Sequence, residues 1–143
     1  MGPRHSRGVV HDFIVKLTKN PRELEILGDG TQRKSYVWIS DAVEATMIAW
    51  KKCKKDICVF NVGSEDTITV KEIADIVVDE MGLLNVNYKF TGGVKGGRGW
   101  IGDVKVMHLN IGRLVSLGWK PKYNSREAVR LATRHQIRSL RKY

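Results

Sequence analysis

Apolar residues recur every three or four positions in five stretches of the chain, which is the spacing of amphipathic helices. These stretches begin near Val9, Asp41, Thr69, Ile111 and Asn124. Three of them carry a capping residue followed three positions later by glutamate, the sequence pattern of a capping box. The three pairs are Asp41 and Glu44, Thr69 and Glu72, and Asn124 and Glu127. The hydrophobic pattern therefore predicts five helices.

Four shorter stretches have the pattern of strands. Residues 24–27 and 86–90 are typical of half-buried strands, and residues 35–39 alternate between the two faces. Residues 57–62 form a short continuous apolar run, which is typical of a strand buried on both faces. Because strands alternate with helices, the sequence predicts a single domain over residues 1–143, of the α/β or mixed α+β class.

The turn between the first two predicted strands is the most distinctive local feature. Gly28, Asp29 and Gly30 predict a tight turn, because Asp and Gly tolerate the backbone conformations that turns need. Arg33 and Lys34 follow it, next to aromatic residues. Two cations at the mouth of a glycine turn suit a phosphate-bearing ligand, since charged donors make strong hydrogen bonds to phosphate oxygens. From the residues alone, a solvated hairpin with surface charges is an equal alternative.

The charge balance restricts the classes of partner. The formal net charge is +10, from 25 Lys and Arg against 15 Asp and Glu, which admits nucleic acid or a smaller polyanion such as a nucleotide diphosphate. The cations are spread along the chain, with a modest cluster at residues 138–143 that we interpret as a solvated helix end. Nothing matches a nucleic-acid-binding module, so we do not expect specific nucleic-acid binding.

The chain shows no sign of a membrane or export segment. No apolar run approaches the ~20 residues that span a bilayer, and the polar, basic N-terminus is not a signal peptide. We therefore expect a cytoplasmic protein with no membrane partner. Cys53 and Cys58 do not make a disulfide framework or a convincing zinc site, so we expect two ordinary thiols and no metal.

A glycine-rich stretch, residues 92–102, formally contains the dinucleotide-binding pattern of spaced glycines. No βαβ unit surrounds it in the predicted element order, and no acidic residue lies about 20 positions further on to hold a ribose hydroxyl. We therefore interpret it as a flexible loop that carries Arg98 and Trp100 and leads to Asp103.

Several short motifs, taken in order, give the chain a resemblance to a known family. They are GPR from residue 2, LEILGDGTQRKSYVWISD from residue 24, FNVG from residue 60, RGWIGDV from residue 98 and LGWKP from residue 117. At these separations they resemble the C-terminal half of extended short-chain dehydrogenases/reductases, namely the NAD-dependent sugar-nucleotide epimerases and dehydratases, with UDP-glucose 4-epimerases as the most similar members. The resemblance implies the substrate-binding part of a Rossmann-type enzyme, lacking most of the NAD-binding domain.

The resemblance also implies positions for a nucleotide-sugar site. Glu25, Ile26 and Leu27 correspond to the strand that runs along the pyrimidine base. Lys34 stands where the family has a diphosphate-binding arginine, and Tyr36 matches the aromatic residue after it. A lysine offers a point charge in place of a bidentate fork, so we expect a less directional contact with phosphate.

The late motif and the missing motifs complete these expectations. Arg98 and Asp103 match the Arg and Asp that clamp the diphosphate and the ribose, at a longer spacing than the family's Arg-x-Gly-Asp. In the family, NAD sits on an N-terminal Rossmann domain, and a Tyr-x-x-x-Lys pair moves the proton. The 143 residues contain no Tyr-x-x-x-Lys pair. We therefore expect no catalytic residues and no NAD cofactor in this chain.

The interpretation is a UDP-sugar-binding portion of a UDP-glucose 4-epimerase-like enzyme, inactive by itself. A fragment of a sugar-nucleotide 4,6-dehydratase and a non-catalytic binding or regulatory module are the alternatives. In a full-length enzyme the helix from Asp41 and the strand at residues 57–62 would pack against the Rossmann sheet. Without that sheet their apolar surface needs another cover, so we expect self-association as a dimer, or pairing with a missing N-terminal half.

Overall fold

The elements of the structure follow the predicted alternation. The chain is described by a computed structural model over residues 1–3 and 5–140, so Arg4 of the GPR motif and residues 141–143 of the basic end lie outside the described residues. The elements are α1 (Val9–Lys19), β1 (Glu23–Ile26), β2 (Arg33–Lys34), α2 (Ile39–Lys52), β3 (Ile68–Thr69), α3 (Val70–Met81), β4 (Asn87–Phe90), β5 (Val106–Met107), α4 (Gly112–Ser116) and α5 (Ser125–Leu140). No helix among the described residues is long and apolar enough to cross a bilayer.

The main core lies between three helices and a two-stranded sheet. β1 and β4 pair in parallel, with Leu24 opposite Tyr88 and Ile26 opposite Phe90. Helices α1, α3 and α5 pack against one another, and α1 also packs on β1. On α1 the apolar face predicted from the helical spacing is the buried one, as Phe13 illustrates. The predicted mixed α/β class is confirmed.

A second, smaller sheet brings distant parts of the chain together. β2 lies between β3, which runs antiparallel to it, and β5, which runs parallel. The N–H of Arg33 donates to the carbonyl of Lys105 at 2.8 Å, and the N–H of Ser35 donates to the carbonyl of Met107 at 3.0 Å. Because β5 follows the glycine-rich loop, this pairing fixes the end of that loop beside Lys34.

Two of the three predicted capping boxes form. The N–H of Glu72 donates to Thr69 Oγ1 at 3.2 Å, and the N–H of Thr69 donates to Glu72 Oε2 at 2.9 Å. Asn124 and Glu127 make the same reciprocal pair, with both bonds at 2.9 Å. These bonds satisfy N–H groups that the first turns of α3 and α5 would otherwise leave without partners.

The capping box predicted at Asp41 is wrong. Helix α2 begins at Ile39, so Asp41 lies inside its first turn. Asp41 is fully buried, and its Oδ2 accepts the backbone N–H groups of Lys122 and Tyr123 at 2.9 and 3.1 Å. Glu44 instead pairs at the surface with Lys122, at 3.1 Å. Asp41 therefore ties α2 to the chain that precedes α5.

The strand predicted at residues 57–62 is also wrong. No strand forms there: Ile57 is 81% exposed and Val59 is 67% exposed, while Phe60 and Val62 pack against a separate apolar cluster. An apolar run becomes a doubly buried strand only where neighbouring strands pair with its backbone. Among the described residues, none does so for this segment.

The strand predicted at residues 35–39 is wrong, because none of these residues lies in a strand. β2 ends at Lys34, and the chain then passes without regular structure into α2. Trp38 is nonetheless buried, because its ring stacks on His135 of α5 with the ring centroids 5.7 Å apart. The alternation over residues 35–39 therefore reflects contacts with α5 and does not mark a strand.

Cys53 and Cys58 form a disulfide, so the expectation of two ordinary thiols is wrong. Helix α2 ends at Lys52, and the chain bends at residues 55–56, which brings the two cysteines together. The Cys-x4-Cys spacing does not indicate this disulfide. If the helix continued from Cys53 to Cys58, it would hold the two thiols too far apart to bond. The disulfide closes the C-terminal end of α2.

Replacing Asp41 by alanine should lower the free energy of unfolding by about 1.5–3 kcal/mol, because the backbone N–H groups of Lys122 and Tyr123 lose a charged, fully buried acceptor. Glu44→Ala is the matched control and should cost no more than about 0.5 kcal/mol, because its ion pair is exposed. Urea unfolding followed by tryptophan fluorescence measures both. A greater loss of unfolding free energy for Glu44→Ala than for Asp41→Ala would contradict this account and support the predicted capping box.

Candidate functional site

A cavity of about 270 Å³ opens beside β2. The start of α1 and the start of α3 form its apolar walls, and the glycine-rich loop closes the remaining side. Four of the residues predicted for a ligand site line this cavity: Leu27, Lys34, Tyr36 and Asp103. They come from three separate stretches of sequence, and the pairing of β2 with β5 brings the last of these stretches beside Lys34.

Lys34 and Asp103 form the polar centre of the cavity. Lys34 Nζ lies 2.9 Å from Asp103 Oδ1, and the two side chains are 25% and 4% exposed. Asp103 Oδ2 accepts the N–H of Gly99 at 3.1 Å. Burial would raise the pKa of the Asp103 carboxyl, but the hydrogen bonds from Lys34 and Gly99 outweigh it and hold that pKa below its ordinary value. The pair is therefore an ammonium against a carboxylate.

Tyr36 supplies a neutral aromatic wall. Its backbone N–H donates to Ser125 Oγ at 2.9 Å, which fixes the residue against the start of α5. Burial, and then the negative charge of Asp103, raise the pKa of the Tyr36 phenol. The phenol therefore stays protonated and can donate one hydrogen bond.

Seven of the eleven lining residues were not among the predicted site residues, and Gln32 and Trp100 are two of them. Gln32 is 2% exposed, and its Nε2 donates to the carbonyl of Leu27 at 2.9 Å. Trp100 is 56% exposed, with its ring centroid 6.0 Å from Lys34 Nζ. Gln32 stands two positions before Lys34, and strand periodicity places such residues on one face. That signal could have identified Gln32, whereas nothing local identifies Trp100.

Three of the predicted site residues lie elsewhere. Glu25 is exposed and pairs with Lys16 at 3.4 Å. Ile26 is fully buried in the main core. Arg98 is exposed and does not line the cavity, since its backbone pairs with Val94 within the glycine-rich loop. The resemblance pointed to segments that border the cavity, and only some members of each segment line it.

A second hollow, of about 800 Å³, adjoins the cavity. It shares Lys34, Tyr36 and Trp100 with the cavity and extends between the N-terminal residues and Gln136 of α5. Sites for small molecules occupy about 300–1,000 Å³. The two hollows together therefore offer room for a ligand larger than the inner cavity alone could take.

The glycines of the loop have a structural role. The N–H of Asp29 donates to the carbonyl of Gly97 at 3.0 Å, and a Cβ built on Gly28 would lie 2.7 Å from that same carbonyl oxygen. Lys105 Nζ lies 2.7 Å from Asp29 Oδ1. That hydrogen bond is the main reason that the pKa of Asp29 falls to about 2. The glycines allow the loop to dock on the turn at residues 28–30.

The same loop does not fit a bound dinucleotide. In dinucleotide folds the spaced glycines open a helix, and the pyrophosphate sits at its N-terminus. Here the loop leads into β5, and the next helix begins only at Gly112. The residues present in the loop therefore do not fit an NAD site.

The chain is similar in sequence to proteins of one known family. Residues 1–63 match the family model of the NAD dependent epimerase/dehydratase family. A provisionally named UDP-glucose 4-epimerase of Methanocaldococcus jannaschii is 31% identical over 130 residues, which cover 90% of this chain and 38% of that protein.

Two solved structures superpose on almost the whole chain. A UDP-galactose 4-epimerase is 38% identical, with a TM-score of 0.82, and the match covers 97% of this chain and 43% of that one. The UDP-glucose 4-epimerase of Thermotoga maritima, solved with UDP-glucose, is 28% identical, with a TM-score of 0.71, over 96% of this chain and 42% of that one. The 143 residues match the C-terminal part of proteins of the NAD-dependent epimerase/dehydratase family, and they span less than half the length of these relatives.

Proposed function

We propose that the cavity at Lys34 binds a nucleotide-diphosphate sugar, as the substrate-binding portion of a UDP-glucose 4-epimerase-like enzyme. The observation that carries the proposal is the convergence of Lys34, Tyr36 and Asp103 on one cavity from separate stretches of sequence. The similarity to an epimerase that was solved with UDP-glucose supports a UDP-sugar as the ligand.

Lys34 is the group that suits the diphosphate. An ammonium donates three hydrogen bonds and carries a compact positive charge. Asp103 holds Lys34 in place at 2.9 Å and would otherwise be a buried carboxylate without a cation. A phosphate that takes over one donor of Lys34 leaves the other donors to Asp103, whose oxygens remain able to accept ribose hydroxyls. The cavity thereby offers a donor for phosphate beside an acceptor for sugar.

Lys34→Ala should weaken UDP binding about tenfold or more, because a charge-assisted hydrogen bond contributes about 1.5–3 kcal/mol. Arg98→Ala removes an equal charge from outside the cavity and should weaken binding by less than about threefold, although the resemblance assigned Arg98 to the diphosphate. Isothermal titration calorimetry with UDP at fixed ionic strength measures both. Equal losses in the two variants would mean that net charge alone governs binding.

The isolated chain should neither interconvert UDP-glucose and UDP-galactose nor bind NAD. The physical reason is that the hydride needs an acceptor, and no side chain can replace a nicotinamide in that role. A coupled assay with UDP-glucose and added NAD measures turnover, and calorimetry with NAD alone measures binding. Turnover above the reagent blank, or micromolar affinity for NAD, would contradict this. UDP binding without turnover is also what a non-catalytic binding module would show.

An apolar face on α2 suits a second copy of the chain. Ile39, Val43, Met47 and Trp50 are 47%, 55%, 45% and 72% exposed, and their spacing places them along one side of the helix. Monomeric proteins seldom expose an apolar stripe of this length. A two-fold dimer would bury the stripe against its own copy, and this is the commonest symmetry of oligomers.

The chain should therefore self-associate as its concentration rises, and Met47→Glu should shift it towards monomer by placing a charge in the buried contact. Leu84→Glu is the matched control, because Leu84 is 85% exposed and lies outside the stripe. Light scattering over a concentration series gives the mass of each variant. A wild-type chain that stays monomeric, or equal effects of the two substitutions, would remove the stripe as a contact between copies.

A further inference from the structure

Gln32 has an unusual environment for a polar side chain. It is 2% exposed and lines the cavity beside Lys34. Its Nε2 is committed to the carbonyl of Leu27, at 2.9 Å. Its Oε1 is buried and has no hydrogen-bond partner within the part of the chain that the structure describes. Buried amide oxygens are nearly always paired, so an exception at a cavity wall calls for a ligand or solvent partner.

No neighbouring group donates to this oxygen among the described residues. The carboxylate of Asp103 only accepts hydrogen bonds, and Lys34 Nζ bonds to that carboxylate at 2.9 Å. The turn packs closely against the Gln32 side chain, since a Cβ built on Gly28 would meet its amide. The bond to Leu27 sets the orientation of the amide and leaves Oε1 without a partner at the wall of the cavity.

We propose that Gln32 is a specificity residue, whose Oε1 accepts a hydrogen bond from an N–H or O–H group on the nucleoside part of the bound nucleotide. This inference rests on the proposed function and adds a contact that the resemblance did not imply. The donor is either the ring N–H of the base or a ribose hydroxyl. A site built around a buried acceptor rejects a ligand that lacks the matching donor, because the acceptor then stays unpaired.

The test compares the wild-type chain with Gln32→Met, which keeps the length of the side chain but has no oxygen acceptor. Four probes are titrated into both proteins: UDP, 3-methyl-UDP without the ring N–H, 2′-deoxy-UDP and 3′-deoxy-UDP. Inorganic pyrophosphate is the control, since it contains no nucleoside. Circular dichroism establishes that the variant is folded.

We expect Gln32→Met to bind UDP about 5- to 30-fold more weakly and pyrophosphate equally well. One analogue should bind the wild-type chain more weakly than UDP does, by a similar factor. That analogue and UDP should bind Gln32→Met equally, and the group that the analogue lacks is then the donor to Oε1. Equal UDP affinity in both proteins would overturn the role of Gln32 and leave the UDP site intact, as expected if solvent alone satisfies Oε1. A wild-type chain that binds no UDP would overturn the proposed function and this inference together.

A second measurement covers a variant that fails to fold. In the wild-type chain, the side-chain amide nitrogen and the Cδ of Gln32 give separate NMR signals. Saturation with UDP should shift both signals, and saturation with pyrophosphate should leave them within experimental error. Signals that do not respond to UDP would overturn the proposal without any substitution.

Discussion

The site depends on the docking of the glycine-rich loop against the turn at residues 28–30. The loop has little apolar anchorage, since Ile101 is 89% exposed and Val104 is 47% exposed. Polar links hold it instead: the backbone bond from Asp29 to Gly97, the ion pair of Asp29 with Lys105, and the pairing of β2 with β5. Each link is modest on its own, and together they place Asp103 and Trp100 beside Lys34.

The parts of the fold that the sequence predicted are those with local causes. Helix α3 needs only its apolar spacing, the Thr69–Glu72 box and Gly82, and all three are visible in the sequence. The failures have non-local causes. The sequence around Asp41 has the pattern of a helix cap, but its carboxylate accepts N–H groups from Lys122 and Tyr123, which are distant in sequence. Residues 57–62 have the pattern of a strand, but no described strand pairs with them.

The candidate site was predictable to a similar extent. Lys34, Tyr36 and Asp103 were identified from motif order and meet at the cavity, but their role in binding stays a prediction. Glu25, Ile26 and Arg98 were predicted in the same way and do not line the cavity. Strand periodicity could have indicated Gln32. No sequence rule gives the path of an 11-residue glycine-rich loop, which is why Trp100 was not predicted.

The ion pair of Lys34 with Asp103 carries no net charge, in a chain whose formal net charge is +10. Arrival of an anionic ligand is governed by the summed field of the molecule, whereas discrimination depends on contacts at close range. The two tasks therefore fall to different residues. Lysines and arginines spread over the surface accelerate the encounter with any polyanion, and dissolved salt slows that encounter. Under the proposed function, the local rearrangement of Lys34 between carboxylate and phosphate would set how long a ligand stays.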